Sequence, residues 1–218
     1  MIVQLTKRGV RVTDSSGGVE RLRANFARDY FVRLPRFLPK DLLDTVSREI
    51  DRSAFYERIH SGIDDNKELC MRTNTVAAGL LHLLLNCDEL FDVVERVTGC
   101  GAIGYFRGRV YRVVPGCGHR DAWHSDVDRR RLVAMSINLS RRPYRGGTLQ
   151  LRSTKPRRAL CEIPNLGLGD AILFRIGDGL EHRITDIEGV TAKTAFAGWF
   201  HSRPRFKRIV ERARVRRT

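Results

Sequence analysis

Gly101-Ala102-Ile103-Gly104-Tyr105-Phe106-Arg107-Gly108-Arg109-Val110-Tyr111-Arg112-Val113-Val114, closed by Pro115-Gly116, is where the pattern of this 218-residue chain changes. Before it, apolar residues recur at helical spacing; from it onward they come in short apolar or alternating runs. After Ala102 to Val114 come Leu132 to Leu139, Thr148 to Arg152, Arg158 to Ile163, Asp170 to Arg175 and Thr191 to Phe200. Turn residues separate them, at Arg145-Gly146-Gly147, Asn165-Leu166-Gly167 and Gly177-Asp178-Gly179. Several short strands with no helix between them predict an antiparallel sandwich or barrel, not a parallel α/β sheet. Upstream, Leu42, Leu43, Val46 and Ile50 share one face of a segment opened by Pro39-Lys40-Asp41. Thr75 to Leu85 reads as a second helix, and Asn86 to Val97 as a third, stopped by Gly99. Ser61 to Asn74 is polar and reads as a loop. The expected fold class is α+β: a double-stranded β-helix (jelly roll) with supporting N-terminal helices. One domain is expected, with residues 1–100 a mainly helical support layer, 101–200 the jelly-roll core and 201–218 a basic C-terminal helix.

Composition narrows the classes of function. No apolar stretch approaches the roughly 20 residues that span a bilayer, and the first residues lack the order of a secretory signal. A cytoplasmic location and no membrane partner are the expectation. The five cysteines (Cys70, Cys87, Cys100, Cys117, Cys161) contain no C-x-x-C pair, so neither a zinc site nor a disulfide framework is indicated. The net charge of +15 is the outlier. It suits an acidic substrate or partner. Eight of the 40 basic residues lie between Arg203 and Thr218, where Phe206, Ile209, Val210 and Ala213 keep helical spacing. No aromatic residues are interleaved there for base stacking, which disfavours nucleic acid without removing it.

Two His and one Asp stand where a metal would want them. His124-Ser125-Asp126 is an H-x-D pair, and residues i and i+2 of a strand point the same way. His182 follows just after the Asp170 to Arg175 run. Two imidazoles and a carboxylate on one face of a metal leave the other face open, which is the pattern of non-haem Fe(II) oxygenases. A second pair, His119-Arg120-Asp121, begins five residues earlier; the odd offset predicts that only one pair can face inward. His124 and Asp126 are preferred, because they follow Trp123 and directly precede the charged turn Asp128-Arg129-Arg130-Arg131. The other pair is then expected at the entrance or behind the ligands. Lys193, eleven residues after His182 and next to Ala192 on an otherwise apolar strand, needs an anion if it points inward. Taken alone, each of these residues has a plain structural explanation; Lys193 can snorkel, and Trp199 and Phe200 read as core.

The ordered set is more specific than its parts. H-x-D, the Gly146-Gly147 turn, Gly169-Asp170-Ala171-Ile172-Leu173-Phe174, His182-Arg183-Ile184, Lys193 and Gly198-Trp199-Phe200 together resemble the Fe(II)/2-oxoglutarate-dependent dioxygenases, in particular the prolyl-4-hydroxylase-like branch. The likeness covers roughly Tyr105 to Phe200. It implies Fe(II) held by His124, Asp126 and His182, with 2-oxoglutarate as co-substrate and O2 as oxidant. Lys193 matches the family's basic residue for the far carboxylate of 2-oxoglutarate. Tyr111 matches a helper on the strand before H-x-D, and Ser136 is a weaker match. Where the family often has Ser or Thr two residues after the basic residue, this chain has Ala195.

The implied reaction is hydroxylation of a C–H bond with release of succinate and CO2. Asp126 favours it over halogenation, whose enzymes lack the carboxylate. A peptidyl or protein side chain is the first choice of substrate, with a free amino acid or other small molecule close behind. Arg107, Arg109 and Arg112 are candidates to meet an acidic one. The rival readings are a nucleic-acid demethylase with the same iron chemistry, a metal isomerase of cupin type, and a non-enzymatic jelly-roll module for an acidic partner.

Overall fold

The computed structural model describes residues 2–7, 9–13, 17–59, 67–165 and 167–202. The chain opens with β1 (Ile2–Thr6), β2 (Gly9–Thr13), α1 (Gly18–Asp29), β3 (Phe31–Leu34) and α2 (Lys40–Asp51). β4 (Phe55–Ile59), β5 (Lys67–Met71), α3 (Val76–Leu85) and α4 (Asp88–Thr98) follow. The strand-rich part runs β6 (Tyr105–Val113), β7 (Asp121–His124), β8 (Arg131–Asn138), β9 (Arg145–Gly146), β10 (Leu149–Thr154) and β11 (Arg157–Ile163). It ends with β12 (Ala171–Phe174), β13 (Leu180–Ile184), β14 (Ile187–Glu188) and β15 (Lys193–His201).

A seven-stranded sheet, ordered β3-β12-β8-β15-β6-β5-β4, faces a four-stranded sheet, ordered β11-β10-β13-β7. The pairings are antiparallel, as a jelly roll requires. Period-2 alternation sorts side chains of the large sheet to its two faces. Val133, Met135, Ile137, Phe196 and Phe200 join the helices in the main core. Ala134, Ile172 and Phe174 pack instead with Leu149, Leu151 and Ile163 of the small sheet. The three expected helices are present. Thr75 caps α3 by accepting from Ala78 N at 3.3 Å, and Gly99 ends α4 at φ 67°.

The first hundred residues are less helical than their apolar spacing predicts. They carry five strands, of which β3, β4 and β5 extend the large sheet. The segment 61–74 is a loop only in part, since β5 occupies its middle; residues 61–66 lie outside the described ones. Lys67-Glu68-Leu69-Cys70-Met71 has no amphipathic alternation of its own, and its pairing with β4 and β6 decides its conformation. The expected C-terminal helix falls, from residue 203 on, outside the described residues.

The longest pairing, between β6 and β15, places Gly108 opposite Gly198. A Cβ at Gly198 would stand 2.1 Å from the Arg107 carbonyl oxygen and 2.4 Å from the Gly108 Cα. Gly198→Val is therefore expected to destabilise the protein by at least the roughly 1–3 kcal/mol of an overpacked core. Urea unfolding measures it; a midpoint equal to that of the parent would disprove this close approach.

Candidate metal centre

β7 ends on His124, and its cross-strand partner on β13 is His182. This places the two imidazoles side by side, ring centroids 4.3 Å apart. Two residues on, the chain has left β7, and the buried Asp126 turns its carboxylate back between them. His182 Nε2 lies 3.2 Å from Asp126 Oδ2, and His124 Nε2 lies 3.7 Å from Oδ1. Ligand atoms of the three residues all lie within 4.8 Å of one another, the one such group found among the described residues. The Ala122 carbonyl, 2.8 Å from His124 Nδ1, accepts the proton there and leaves the Nε2 lone pair for a cation.

Two neighbours fix the carboxylate. The Trp199 indole donates to Asp126 Oδ2 at 2.7 Å, and the Arg131 guanidinium reaches Oδ1 at 3.3 Å while lying 3.8 Å above the Trp199 ring. Burial alone would raise the Asp126 pKa. The His182 hydrogen bond, the His182 and His124 charges and the Trp199 hydrogen bond outweigh it and bring the pKa down to about 2. The group is an anion at neutral pH, as a ligand to a divalent metal must be. Trp199→Phe keeps the ring and removes this donor. It is expected to weaken iron(II) binding about 10- to 100-fold, the usual cost of losing a partner that orients a ligand. Titration of the apoprotein with Fe(II) under argon checks it; unchanged affinity would show that Arg131 suffices.

The rejected pair, His119 and Asp121, is not in the ligand set, but it does line the same cavity. The expectation that only one pair could face inward fails because β7 is bulged. His182 pairs with His124 and Ile184 with Asp121, three residues of β7 against two steps of β13. The bulge turns Asp121 and His124 to one face. Asp121 Oδ1 then stands 3.5 Å from His124 Nδ1, behind the candidate ligand. His119 is tied up elsewhere, its Nδ1 accepting from Val114 N at 2.9 Å.

A cavity of about 280 Å³ opens beside the triad, and Lys193, Tyr111 and Ser136 line it. Lys193 is 3 % exposed. Its Nζ donates to the Gly147 carbonyl at 3.1 Å and has no ion pair among the described residues. Burial pulls its pKa down to about 8 against the opposing charge of Asp121. Gly146 and Gly147 make that arrangement possible. Both hold positive φ, and a Cβ on Gly146 would meet the Asp186 carbonyl at 2.0 Å. Tyr111 is buried next to Ala195, its cross-strand partner, and burial raises its phenol. Ala195 is 1 % exposed and adds only apolar wall.

Other side chains fall differently from expectation. Arg109 lines the cavity, paired with the buried Glu68 at 2.8 Å. Arg112 does not: one residue out of phase with Tyr111, it points to the helical side and donates to Thr194 Oγ1 at 3.1 Å. Arg107 is exposed outside the cavity. Trp199, expected as core, shares the cavity face of β15 with Lys193, since the two are an even number apart. That parity was the available signal. Glu68 gave none, because a strand pairing brings it in; Asp121 did, as part of the second H-x-D pair expected at the entrance or behind His124 and Asp126.

The donor set suits a divalent iron with one face left open, and an unpaired buried ammonium across the cavity suits an anionic co-substrate. Known proteins agree. Residues 108–201 match the model of the 2OG-Fe(II) oxygenase superfamily. The fold is similar to a prolyl-4-hydroxylase from Pseudomonas putida, with TM-score 0.61, 16% identity, and coverage of 85% of this chain and 99% of that one. It is also similar to a prolyl hydroxylase from Trichoplax adhaerens, solved with a hypoxia inducible factor peptide fragment (TM-score 0.62, 16% identity, 87% and 94% covered). A non-heme alpha ketoglutarate dependent epimerase from nogalamycin biosynthesis is a third (TM-score 0.63, 13% identity, 85% and 83% covered). No curated protein sequence matches the chain. The matched family is one of Fe(II)- and 2-oxoglutarate-dependent oxygenases, which weighs against the non-enzymatic alternative.

Proposed function

We propose, from the match of residues 108–201 to the model of the 2OG-Fe(II) oxygenase superfamily, that this chain hydroxylates a C–H bond of an anionic peptidyl or amino-acid substrate. The observation that carries the proposal is the convergence of His124, Asp126 and His182 on one point, with the buried Lys193 in the same cavity. The three ligands would hold iron from one side. Bound iron with 2-oxoglutarate and O2 supplies the oxidising power, and the protein's part is placement and shielding. Lys193 and the Tyr111 hydroxyl bind the far carboxylate of 2-oxoglutarate, and Ser136 lines its path. Leu149, Ile163, Ile172 and Ile184 keep the cavity wall apolar and exclude water. Arg131 and Trp199 hold Asp126 in place, and that carboxylate favours hydroxylation over halogenation. Residues 101–200 act as the catalytic core on the support of residues 1–100, with which they share one apolar core.

The substrate side is basic. Beyond the triad and Lys193, Arg58, Lys67, Arg109, Arg120 and Arg131 line the cavity against Glu68, Asp121 and Asp186. Next to it runs a groove of about 630 Å³ that shares Lys67, His119, Arg120 and Asp186 with the cavity and adds Ile59, Val114 and Pro115. A groove with apolar and cationic walls fits an extended acidic segment. Nucleic acid predicts instead a steep fall of binding with salt. A cytoplasmic setting accords with free cysteines, and no helix among the described residues is long and apolar enough to cross a membrane.

Anaerobic mixing with Fe(II) and 2-oxoglutarate tests the reading through the visible charge-transfer band of the chelate. The band is expected in the parent and in His119→Ala, and absent in His124→Ala. Loss in His119→Ala alone would reassign the ligand pair. No band in the parent would end the oxygenase proposal.

A further inference from the structure

Behind Lys193, on the helical side of the same two strands, lies a second pocket of about 210 Å³. Its walls come from Ser47 and Asp51 of α2, Arg112 of β6, Thr194 of β15, and Arg141 and Arg142 just after β8. Thr194 and Arg112 are cross-strand partners. Their chain neighbours Lys193 and Tyr111 line the catalytic cavity on the opposite face. The two compartments are therefore distinct and share a wall two strands wide.

Charge in this pocket is out of balance. Arg141 Nη2 takes Asp51 Oδ2 at 2.9 Å, and Arg112 Nη2 stays 3.9 Å from Oδ1 with its Nε spent on Thr194 Oγ1. Arg142 is exposed and has no ion pair among the described residues. Three guanidiniums meet one carboxylate, and the C-terminal end of α2 offsets only part of the excess. Ser47, 4 % exposed, adds a buried hydroxyl whose Oγ has no hydrogen-bond partner among the described residues. A buried polar group without a partner is costly and rare. A small oxyanion accounts for both features, since guanidiniums bind such oxygens in pairs and a hydroxyl needs only to turn about one bond to donate. The volume lies below the roughly 300 Å³ at which pockets take drug-sized ligands.

We propose that the pocket formed by Arg112, Arg141, Arg142, Ser47 and Thr194 binds a free doubly charged oxyanion of the phosphate class, separately from the catalytic cavity. Equilibrium dialysis of the full chain against labelled inorganic phosphate, in chloride at physiological ionic strength, tests it. One saturable equivalent is expected in the parent and in Lys193→Ala. Affinity is expected to fall about tenfold in Arg142→Ala, at the scale of one charge-assisted contact, and saturable binding to vanish in the double variant Arg141→Ala/Arg142→Ala. Arg142 has no ion pair to lose among the described residues, so the single variant carries the test even if the double one fails to fold. Undiminished binding in Arg142→Ala, loss of binding in Lys193→Ala, or no saturable binding in the parent would each overturn the proposal.

Discussion

Asp126→Ala should leave a folded protein that no longer turns over 2-oxoglutarate, with succinate production down by well over 100-fold. The bound is set by comparison: losing a group that merely orients a ligand costs about 10- to 100-fold, and Asp126 is proposed as a ligand itself. It supplies the only negative charge of the three, and it is the point on which both Nε2 atoms converge. Its removal also leaves the Trp199 indole and the Arg131 guanidinium without their carboxylate partner. The informative pair of measurements is Fe(II) affinity and succinate yield. Parent-like turnover in Asp126→Ala would show that the carboxylate is not a ligand.

For Lys193→Ala the expected result is a KM for 2-oxoglutarate raised about 10- to 100-fold, from the roughly 1.5–3 kcal/mol of a hydrogen bond to a charged group. Fe(II) binding should stay within a few-fold. The same residue predicts a pH dependence with a definite sign. Burial holds the ammonium pKa at about 8 in the free protein. Below that pH the charge is already present and KM should be flat. Above it the lysine is neutral, binding must take up a proton, and KM should climb about tenfold per pH unit. Lys193→Arg, which stays charged, should flatten the rise. Identical profiles for Lys and Arg would mean that another group titrates, and an unchanged KM in Lys193→Ala would move the carboxylate anchor elsewhere.

Much of this site was legible in the sequence, and the limits are instructive. His124, His182 and Lys193 lie on strands, where short-range spacing constrains the side chains; Asp126 lies past the end of β7 and reaches the same point through the turn of the chain. β6, β8, β12 and β15 were found within a few residues for the same reason. What escaped depends on partners distant in the chain. β5 holds its strand through β4 and β6, so Glu68 beside Arg109 left no local trace. The β7 bulge turned a parity argument about His119 and Asp121 into a wrong expectation. Arg112 was a candidate to meet an acidic substrate because its charge was read without its phase against Tyr111. α1, with Val19, Leu22 and Phe26 as its main apolar residues, has too thin a stripe to stand out.

One ribbon, β15, hands its odd-numbered side chains to the chemistry and its even-numbered ones to the helical core. A slip of a single position against β6 and β8 would swap the ammonium for a threonine and the indole for a phenyl ring. The catalytic inventory would be lost while the chain kept every one of its residues. The facing glycines at 108 and 198 admit no side chain between the strands and so act as an index pin for that alignment. Insertions near either glycine should then abolish turnover long before they unfold the protein.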